Sequence, residues 1–238
     1  MKGTIPMQPV KETQTPEGTD TTGIAPTPHE KRSGIVSKWT VLLGILAIGL
    51  LYFALPEKLT IGPSWLLLAI EGIVIIPLIF IRRSGHPLAP KTVRILALVL
   101  LGAVTIGLVG SVAQLILNLP TEKGTSLLRD AALIWGTNIL VFALWYWEID
   151  CGGPQKRHLS GHKAIDFMFP QQADDNTTGW VANFVDYLFL AFTGATAFSP
   201  ADTYPLPRRA KMLMMIEALP SMMVILLLAA RAVNIYGQ

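Results

Sequence analysis

Long apolar blocks alternate with short polar connections along most of this chain, and this alternation predicts its architecture. The first blocks each come close to the roughly 20 residues that a helix needs to cross the hydrocarbon core of a bilayer. They cover residues 39–55, 64–81, 93–119 and 127–147. Pro56 and Pro120 directly follow two of them, where proline stops a helix. Trp145, Tyr146 and Trp147 form an aromatic belt at the end of the fourth block, as expected at a membrane surface.

Two further blocks, 180–198 and 210–235, follow after a polar stretch. The last block is long enough to span a bilayer, but polar and small residues interrupt the earlier one. These are Asp186, Thr193, Gly194 and Thr196. The pattern therefore predicts an all-α fold, a polytopic helical membrane protein with five to six transmembrane helices. The fifth block is either a full span or a pore-helix-like re-entrant segment.

Composition divides the chain into regions. Residues 1–34 contain Thr, Pro, Gly and Glu with few aliphatic side chains, so they bury too little apolar surface to offset the entropy of ordering and are predicted to be a disordered tail. A four-helix transmembrane region follows at 35–147. The stretch 148–179 is predicted to be a polar extramembrane loop, and 180–238 a pore-loop-like segment followed by a C-terminal transmembrane helix.

The polar loop was considered as a metal site. His158 and His162 lie four residues apart, with Cys151 and Asp166 nearby, and these residue types bind zinc. No helix signal accompanies the pair, so a solvated loop is the favoured interpretation and no metal is predicted. Connections of this length are usually functional or disordered.

The composition supports membrane insertion and argues against several classes of function. Of 238 residues, 51% are hydrophobic and 15% are charged, which is typical of a membrane protein. The net charge is +3, but the basic side chains flank apolar blocks instead of forming one patch, so no nucleic-acid partner is expected. H-E-x-x-H, G-x-S-x-G and P-loop motifs are absent, so neither enzymatic activity nor a cofactor is expected. Cys151 is the sole cysteine, which excludes an intrachain disulfide.

The distribution of Lys and Arg predicts the orientation, because these residues collect in the short cytoplasmic loops of membrane proteins. With the N-terminus inside and six full spans, 13 of the 19 lie inside and 6 outside. If the fifth block re-enters from the cytoplasmic face, 15 lie inside and 4 outside. A potassium-channel arrangement, with five spans and the pore loop outside, leaves only 4 inside. The chain is therefore expected to lie in the membrane with a cytoplasmic N-terminus, in either of the first two arrangements.

Glu71 is the best-placed ionisable residue at membrane depth, in the middle of the second block. A carboxylate there is costly and so marks a candidate functional position. Gln114, Asn118 and Asn138 are its possible partners on the third and fourth helices. Glu71 either forms part of a proton or cation path or makes an interhelical packing contact through hydrogen bonds.

The last two blocks add further polar candidates. Asp186 is expected to cap the fifth helix, since a carboxylate at an N-terminus accepts from the exposed amides. Glu217 lies in the sixth helix and is expected to pair with Arg208 or Arg209. Pro220 removes one backbone hydrogen bond and should kink that helix, either as a hinge or as a static bend.

Residues 186–233 contain D-Y-L-F-L-A-F-T-G-A-T-A-F-S-P-A-D-T-Y-P-L-P and then a long helix. This order resembles the pore module of two-helix potassium channels, in which a pore helix, T-V-G-Y-G-D, a proline and an inner helix follow one another. The resemblance implies a filter-like stretch formed by Thr196, Ala197, Phe198, Ser199, Pro200, Ala201 and Asp202. The glycines of the channel filter are missing, and Pro200 fixes its own φ and restricts Ser199. Selectivity would then depend on the side chains of Thr196, Ser199 and Asp202 instead of a carbonyl cage.

A second resemblance covers roughly the C-terminal half. The phrases W-E-I-D-C-G-G-P, D-F-M-F-P-Q and F-V-D-Y-L-F-L-A-F-T-G-A-T-A-F-S-P-A-D-T are similar, in the same order, to those of an uncharacterised family of bacterial integral membrane proteins. This resemblance implies the architecture and an inner-membrane location, and it implies nothing about activity.

These observations leave two hypotheses for function. The first is an oligomeric membrane protein with a degenerate channel-like pore module that passes ions or small solutes. The second is a non-conducting scaffold or accessory subunit that docks a membrane protein partner through the 148–179 loop. In both hypotheses the lipid bilayer is the surrounding partner and homo-oligomers are expected.

Overall fold

The computed structural model describes residues 45–60, 62–83, 90–119, 124–159, 163–173, 179–196 and 203–236. The predicted disordered tail and most of the filter-like stretch, 197–202, lie outside these ranges. The helices are α1 (Ile45–Ala54), α2 (Leu66–Arg83), α3 (Pro90–Asn118), α4 (Gly124–Ile149), α5 (Pro154–Leu159), α6 (Phe184–Ala195) and α7 (Arg208–Tyr236). Two short strands, β1 (Phe167–Met168) and β2 (Tyr204–Pro205), complete the regular structure of the described ranges apart from single 3₁₀ turns.

The predicted helical class is confirmed within the described residues. Within the described ranges, 3 helices are long and apolar enough to cross a membrane, and they cover Lys91–Asn118, Thr125–Gly152 and Arg208–Arg231. Helix α2 has 18 residues, and its apolar sequence is interrupted by Glu71 and by Arg82 and Arg83 at its end. The described part of α1 and the whole of α6 are shorter. The expected total of five to six spans stays a prediction.

Helix α4 is the centre of the bundle and packs against α3, α6 and α7. Of its candidate span, 61% is buried, against 28% for α3 and 17% for α7. Ile134, Phe142 and Tyr146 are almost completely inaccessible. A helix that is apolar all round belongs in such a central position. The neighbouring helices shield α4, and α7 exposes a face of large apolar side chains, among them Met212, Met215, Leu219, Met222 and Leu226.

Helices α3, α6 and α7 all run antiparallel to α4. Arg94, near the start of α3, donates to the carbonyl of Glu148 near the end of α4, at 3.5 Å. Trp147 of α4 packs edge-on against Tyr187, near the start of α6. The start of α7 also lies at this end, so α6 and α7 begin at the same end of the bundle.

A tight turn ends α4. Cys151, Gly152 and Gly153 have φ values of 55°, 76° and 105°, in the left-handed region that glycine adopts without strain. The amide of Gly153 donates to the carbonyl of Asp150 at 2.9 Å. Pro154 then opens α5, a position where its fixed φ and missing N–H are tolerated. The Gly-Gly-Pro sequence thus stops α4 and folds the following residues back onto its end.

The stretch 148–179, predicted as a polar loop, is folded against the bundle wherever the structure describes it. Strand β1 pairs antiparallel with β2, with Phe167 opposite Pro205. The amide of Leu206 donates to the carbonyl of Asp166 at 2.9 Å. Phe167 and Phe169 are buried. These contacts hold the stretch against the segment that leads into α7.

Candidate functional site

A network of charged side chains lies at the C-terminal end of α4 and is called the junction cluster here. Its members are Asp150, Cys151, Arg157, Asp166, Tyr187 and Arg209. The hydroxyl of Tyr187 donates to Oδ2 of Asp150 at 2.5 Å. Nη1 of Arg157 lies 3.7 Å from the same oxygen. Since Asp150 and Arg157 are 2% and 3% exposed, this is a buried ion pair.

Asp166 forms the other half of the junction cluster. The guanidinium of Arg209 donates to both carboxylate oxygens of Asp166. Nε lies 2.5 Å from Oδ1, and Nη2 lies 2.9 Å from Oδ2. The backbone amide of Cys151 donates to Oδ2 of Asp166 at 2.9 Å. The amide of Asp166 in turn donates to Oδ1 of Asp150 at 3.3 Å. The cluster therefore ties together the α4 turn, the folded 148–179 stretch, α6 and the first turn of α7.

The guanidinium of Arg157 packs against two aromatic rings in addition to its ion pair with Asp150. Its guanidinium carbon lies 4.4 Å from the ring centroid of Trp147 and 5.0 Å from that of Tyr187. Nη1 also donates to the carbonyl of Trp147 at 3.2 Å. Each carboxylate of the junction cluster faces a guanidinium. Paired charges of this kind hold elements together.

Helix α6 follows α4 for only part of its length. Asn183 and Asp186 form a reciprocal N-terminal cap, in which Asp186 accepts from the amide of Asn183 at 2.7 Å, as expected for Asp186. At the other end, Nε1 of Trp135 donates to the carbonyl of Ala195 at 3.4 Å. The 12 residues of α6 cover about 18 Å at 1.5 Å per residue. Its last turn therefore lies beside the middle of α4.

A second polar group, called the Glu217 cluster here, lies between α4, α6 and α7. It consists of Asn138, Tyr146, Gly194, Glu217 and Ser221. Glu217 is 0% exposed, and the hydroxyl of Tyr146 donates to its Oε2. Its other oxygen, Oε1, is buried without a hydrogen-bond partner. A Cβ added to Gly194 would lie only 2.8 Å from Oε2, so the carboxyl group lies directly against the backbone of the last turn of α6.

Asn138 joins this cluster from α4. Its amide nitrogen donates to the carbonyl of Glu217 at 3.1 Å and to Oγ of Ser221 at 2.7 Å. Pro220 lies between these residues, within a continuous α7. Because Pro220 cannot donate to the preceding turn, the helix ladder is interrupted beside the carbonyl that Asn138 reaches. Oδ1 of Asn138 is a second buried oxygen without a partner.

Two of the partners expected for the carboxylates of Glu217 and Glu71, Arg209 and Asn138, are wrong. Glu217 does not pair with Arg209, because that guanidinium is held by Asp166 and Glu217 lies about two turns further along α7. Glu71 is 3% exposed, and its Oε2 has no partner. Asn138, one of its expected partners, faces α7 instead. Glu71 lies against Gly49 of α1, where an added Cβ would collide with the carboxyl group.

Of the filter-like stretch, the structure describes Thr196. Its hydroxyl donates to the carbonyl of Phe192 at 2.8 Å, and its amide donates to the same carbonyl at 3.1 Å. Thr196 therefore closes the end of α6. The positions from Ala197 to Asp202 lie outside the described residues, so the filter-like arrangement stays a prediction.

Sequence reasoning did not anticipate the junction cluster. Asp150, Arg157 and Asp166 were assigned to a solvated loop, yet all are buried. The available signal was the Gly-Gly-Pro sequence directly after Cys151, which predicts a chain reversal and hence a return of the loop to the helix end. The carboxylates at depth, Glu71 and Glu217, were found because they interrupt apolar blocks.

In the part of the chain that the structure describes, no group of three or more His, Cys, Asp and Glu is arranged to hold a metal ion. Comparison with models of protein families, with curated proteins and with solved structures finds no match for this chain.

Proposed function

We propose that this chain is an integral membrane protein whose segment 184–208 is a re-entrant element that lets monovalent cations pass. The observation that carries the proposal is the course of α6. This helix begins beside Trp147 and ends beside Trp135. Thr203 and β2 lie back at the starting end, where Tyr204 pairs with Met168. The chain thus leaves α6 and starts α7 at the end of α4 where α6 began.

The lengths of the helices support this interpretation. Helix α4 has 26 residues and covers about 39 Å, whereas α6 covers about 18 Å. The hydrocarbon core is roughly 30 Å thick, so α6 would end near its middle. The last carbonyls of a helix have no partners within that helix. Such backbone is tolerated at membrane depth only where protein buries it or where it lines a water-filled cavity.

The polarity of this end favours cations. The C-terminus of a helix carries a partial negative charge, and half-helix ends of this kind bind cations in membrane transport proteins. The carboxyl group of Glu217 lies against Gly194, within the same last turn. The helix end, and Glu217 in its ionised form, repel anions and attract positive charge. One copy of the chain would line only one side of a cation pathway. The proposal therefore includes a homo-oligomer.

The orientation agrees with a re-entrant α6. With the N-terminus inside, re-entry from the cytoplasmic face leaves 15 Lys and Arg inside and 4 outside. This asymmetry is stronger than that of six full spans and follows the positive-inside rule. The scaffold hypothesis lacks comparable support, because three charged side chains of the 148–179 stretch, Asp150, Arg157 and Asp166, are used within the junction cluster.

Flux through liposomes tests the proposal. Purified protein should raise the flux of H⁺, Na⁺ or K⁺ above that of empty liposomes. Thr196→Ala should reduce the flux several-fold, because it removes the hydroxyl that closes the end of α6 on the carbonyl of Phe192. Asp202→Ala tests the filter-like stretch in the same way.

Thr125→Ala is the matched control, since Thr125 is an exposed threonine in the first turn of α4, at the opposite end of the bundle. It should leave the flux unchanged. Folded protein that gives no flux above empty liposomes contradicts the proposal. Equal flux from Thr196→Ala and the unchanged protein removes the end of α6 from the pathway.

A further inference from the structure

We propose that Glu217 is a proton-binding residue inside the membrane, which takes up and releases one proton at the end of α6. The inference deepens the proposed function, on which it rests for the role of the proton as a transported ion. Proton binding itself is measurable without any flux, so the two proposals can fail separately.

Glu217 is buried, and among the described residues no ion pair to its carboxyl group is found. Its side chain is 0% exposed. Among the described residues, Arg209 is paired with Asp166 and Arg157 with Asp150. Neither guanidinium reaches Glu217. A carboxylate in such a place is far more costly than the neutral acid, unless a cation accompanies it.

The second argument is the polarity of the groups around the carboxyl. Gly194 places it against the last turn of α6, where the helix end is partially negative. Oε1 of Glu217 and Oδ1 of Asn138 are both buried acceptors without partners. Tyr146 is the one hydroxyl that donates to the carboxyl group, through Oε2. Adding a proton removes the repulsion between the carboxylate and the helix end, and it converts one acceptor into a donor.

The groups that face Glu217 come from each helix packed around it. Helix α4 contributes Tyr146 and Asn138, and α6 contributes Gly194. On α7 itself, Ser221 is occupied by Asn138. None of these groups is a cation, so protonation is the simplest way in which this environment neutralises the charge.

Gly194 also places the carboxyl group close to the end of α6. Glycine at this position lets the carboxyl group reach the backbone of α6, two residues before Thr196, where the helix ends. Any larger residue would separate Glu217 from that end. The proton-binding group therefore adjoins the point at which the proposed re-entrant element turns back.

A carbodiimide that dissolves in the bilayer tests the inference, since such reagents add to protonated carboxyl groups in apolar surroundings. The full-length protein in liposomes is treated at a series of pH values, and the modified peptides are identified by mass spectrometry. Glu217 should be labelled at low and neutral pH, and the labelling should fall as the pH rises. Glu217→Gln, which keeps the shape and an acceptor for Tyr146, should reduce labelling at this position to background.

Glu71 serves as an internal comparison in the same digest, because it is also buried with an unpartnered oxygen. Labelled Glu71 with unlabelled Glu217 at every pH overturns the inference. Labelling that does not change with pH also overturns it, since the proton is then not exchanged. Loss of labelling on addition of Na⁺ at constant pH overturns the choice of proton and assigns sodium as the ligand.

Infrared spectroscopy gives a second readout that needs no reagent. The unchanged protein should show the stretching band of a protonated carboxyl group that disappears at high pH and is absent from Glu217→Gln. Identical spectra of the two proteins overturn the inference. Labelling and this band without ion flux would support proton binding and contradict the proposed function, and flux without either would do the reverse.

Discussion

At the scale of a single residue, a substitution at the contact between Gly194 and Glu217 tests the Glu217 cluster. A methyl group at position 194 would lie 2.8 Å from Oε2 of Glu217 and would push the carboxyl group away from Tyr146. We expect Gly194→Ala to lower the free energy of unfolding by about 1–3 kcal/mol, as overpacked cores do. The measurement is thermal or denaturant unfolding in detergent, with helix content followed by circular dichroism.

Gly102→Ala is the control for the intrinsic effect of alanine in a helix. Nothing lies within 4 Å of a Cβ at that position of α3, so the substitution should be neutral or stabilise by about 0.5–1 kcal/mol. In a Glu217→Ala background, Gly194→Ala should cost less, because the colliding oxygen is absent. A cost that is the same in both backgrounds would contradict the contact.

At the scale of elements, Arg157 connects α5 with the end of α4 and the start of α6. Arg157→Met removes the guanidinium between Trp147 and Tyr187 and leaves the buried carboxylate of Asp150 without its ion-pair partner. Breaking a buried pair in this way costs about 3–5 kcal/mol, so we expect a loss of that size in unfolding experiments.

The matched control is Arg208→Met, because Arg208 is exposed and exposed substitutions usually change stability by less than about 0.5 kcal/mol. Arg157→Lys should restore only part of the loss, since an ammonium group cannot stack on rings as a guanidinium does. Equal stability of Arg157→Met and Arg208→Met would show that the junction cluster does not hold these elements together.

The same scale shows what the sequence could predict. Helices α3, α4 and α7 follow from long apolar runs, because hydrocarbon requires such runs whatever the neighbours are. The junction cluster does not follow, since Asp166 and Arg209 are separated by 43 positions and only the chain reversal after α4 brings them together. Strands of two residues have no periodicity to detect. Glu71 and Glu217 stand out in the sequence because each lies within an apolar block. Their partners depend on the rotation of each helix about its axis, which apolar runs leave undetermined.

At the scale of the whole molecule, the proposed re-entrant course of α6 predicts on which side of the membrane its flanking segments lie. Val181 precedes α6 and Tyr204 follows it, and they are 43% and 55% exposed. In a Cys151→Ser background, which keeps a donor for the carbonyl of Lys163, Val181→Cys and Tyr204→Cys should both react with a membrane-impermeant maleimide from the cytoplasmic side. Thr125→Cys should react from the opposite side, because α4 separates it from both. If α6 instead crosses the bilayer, Val181→Cys and Tyr204→Cys will react from opposite sides, and the strand pairing of β1 with β2 could not form in the membrane.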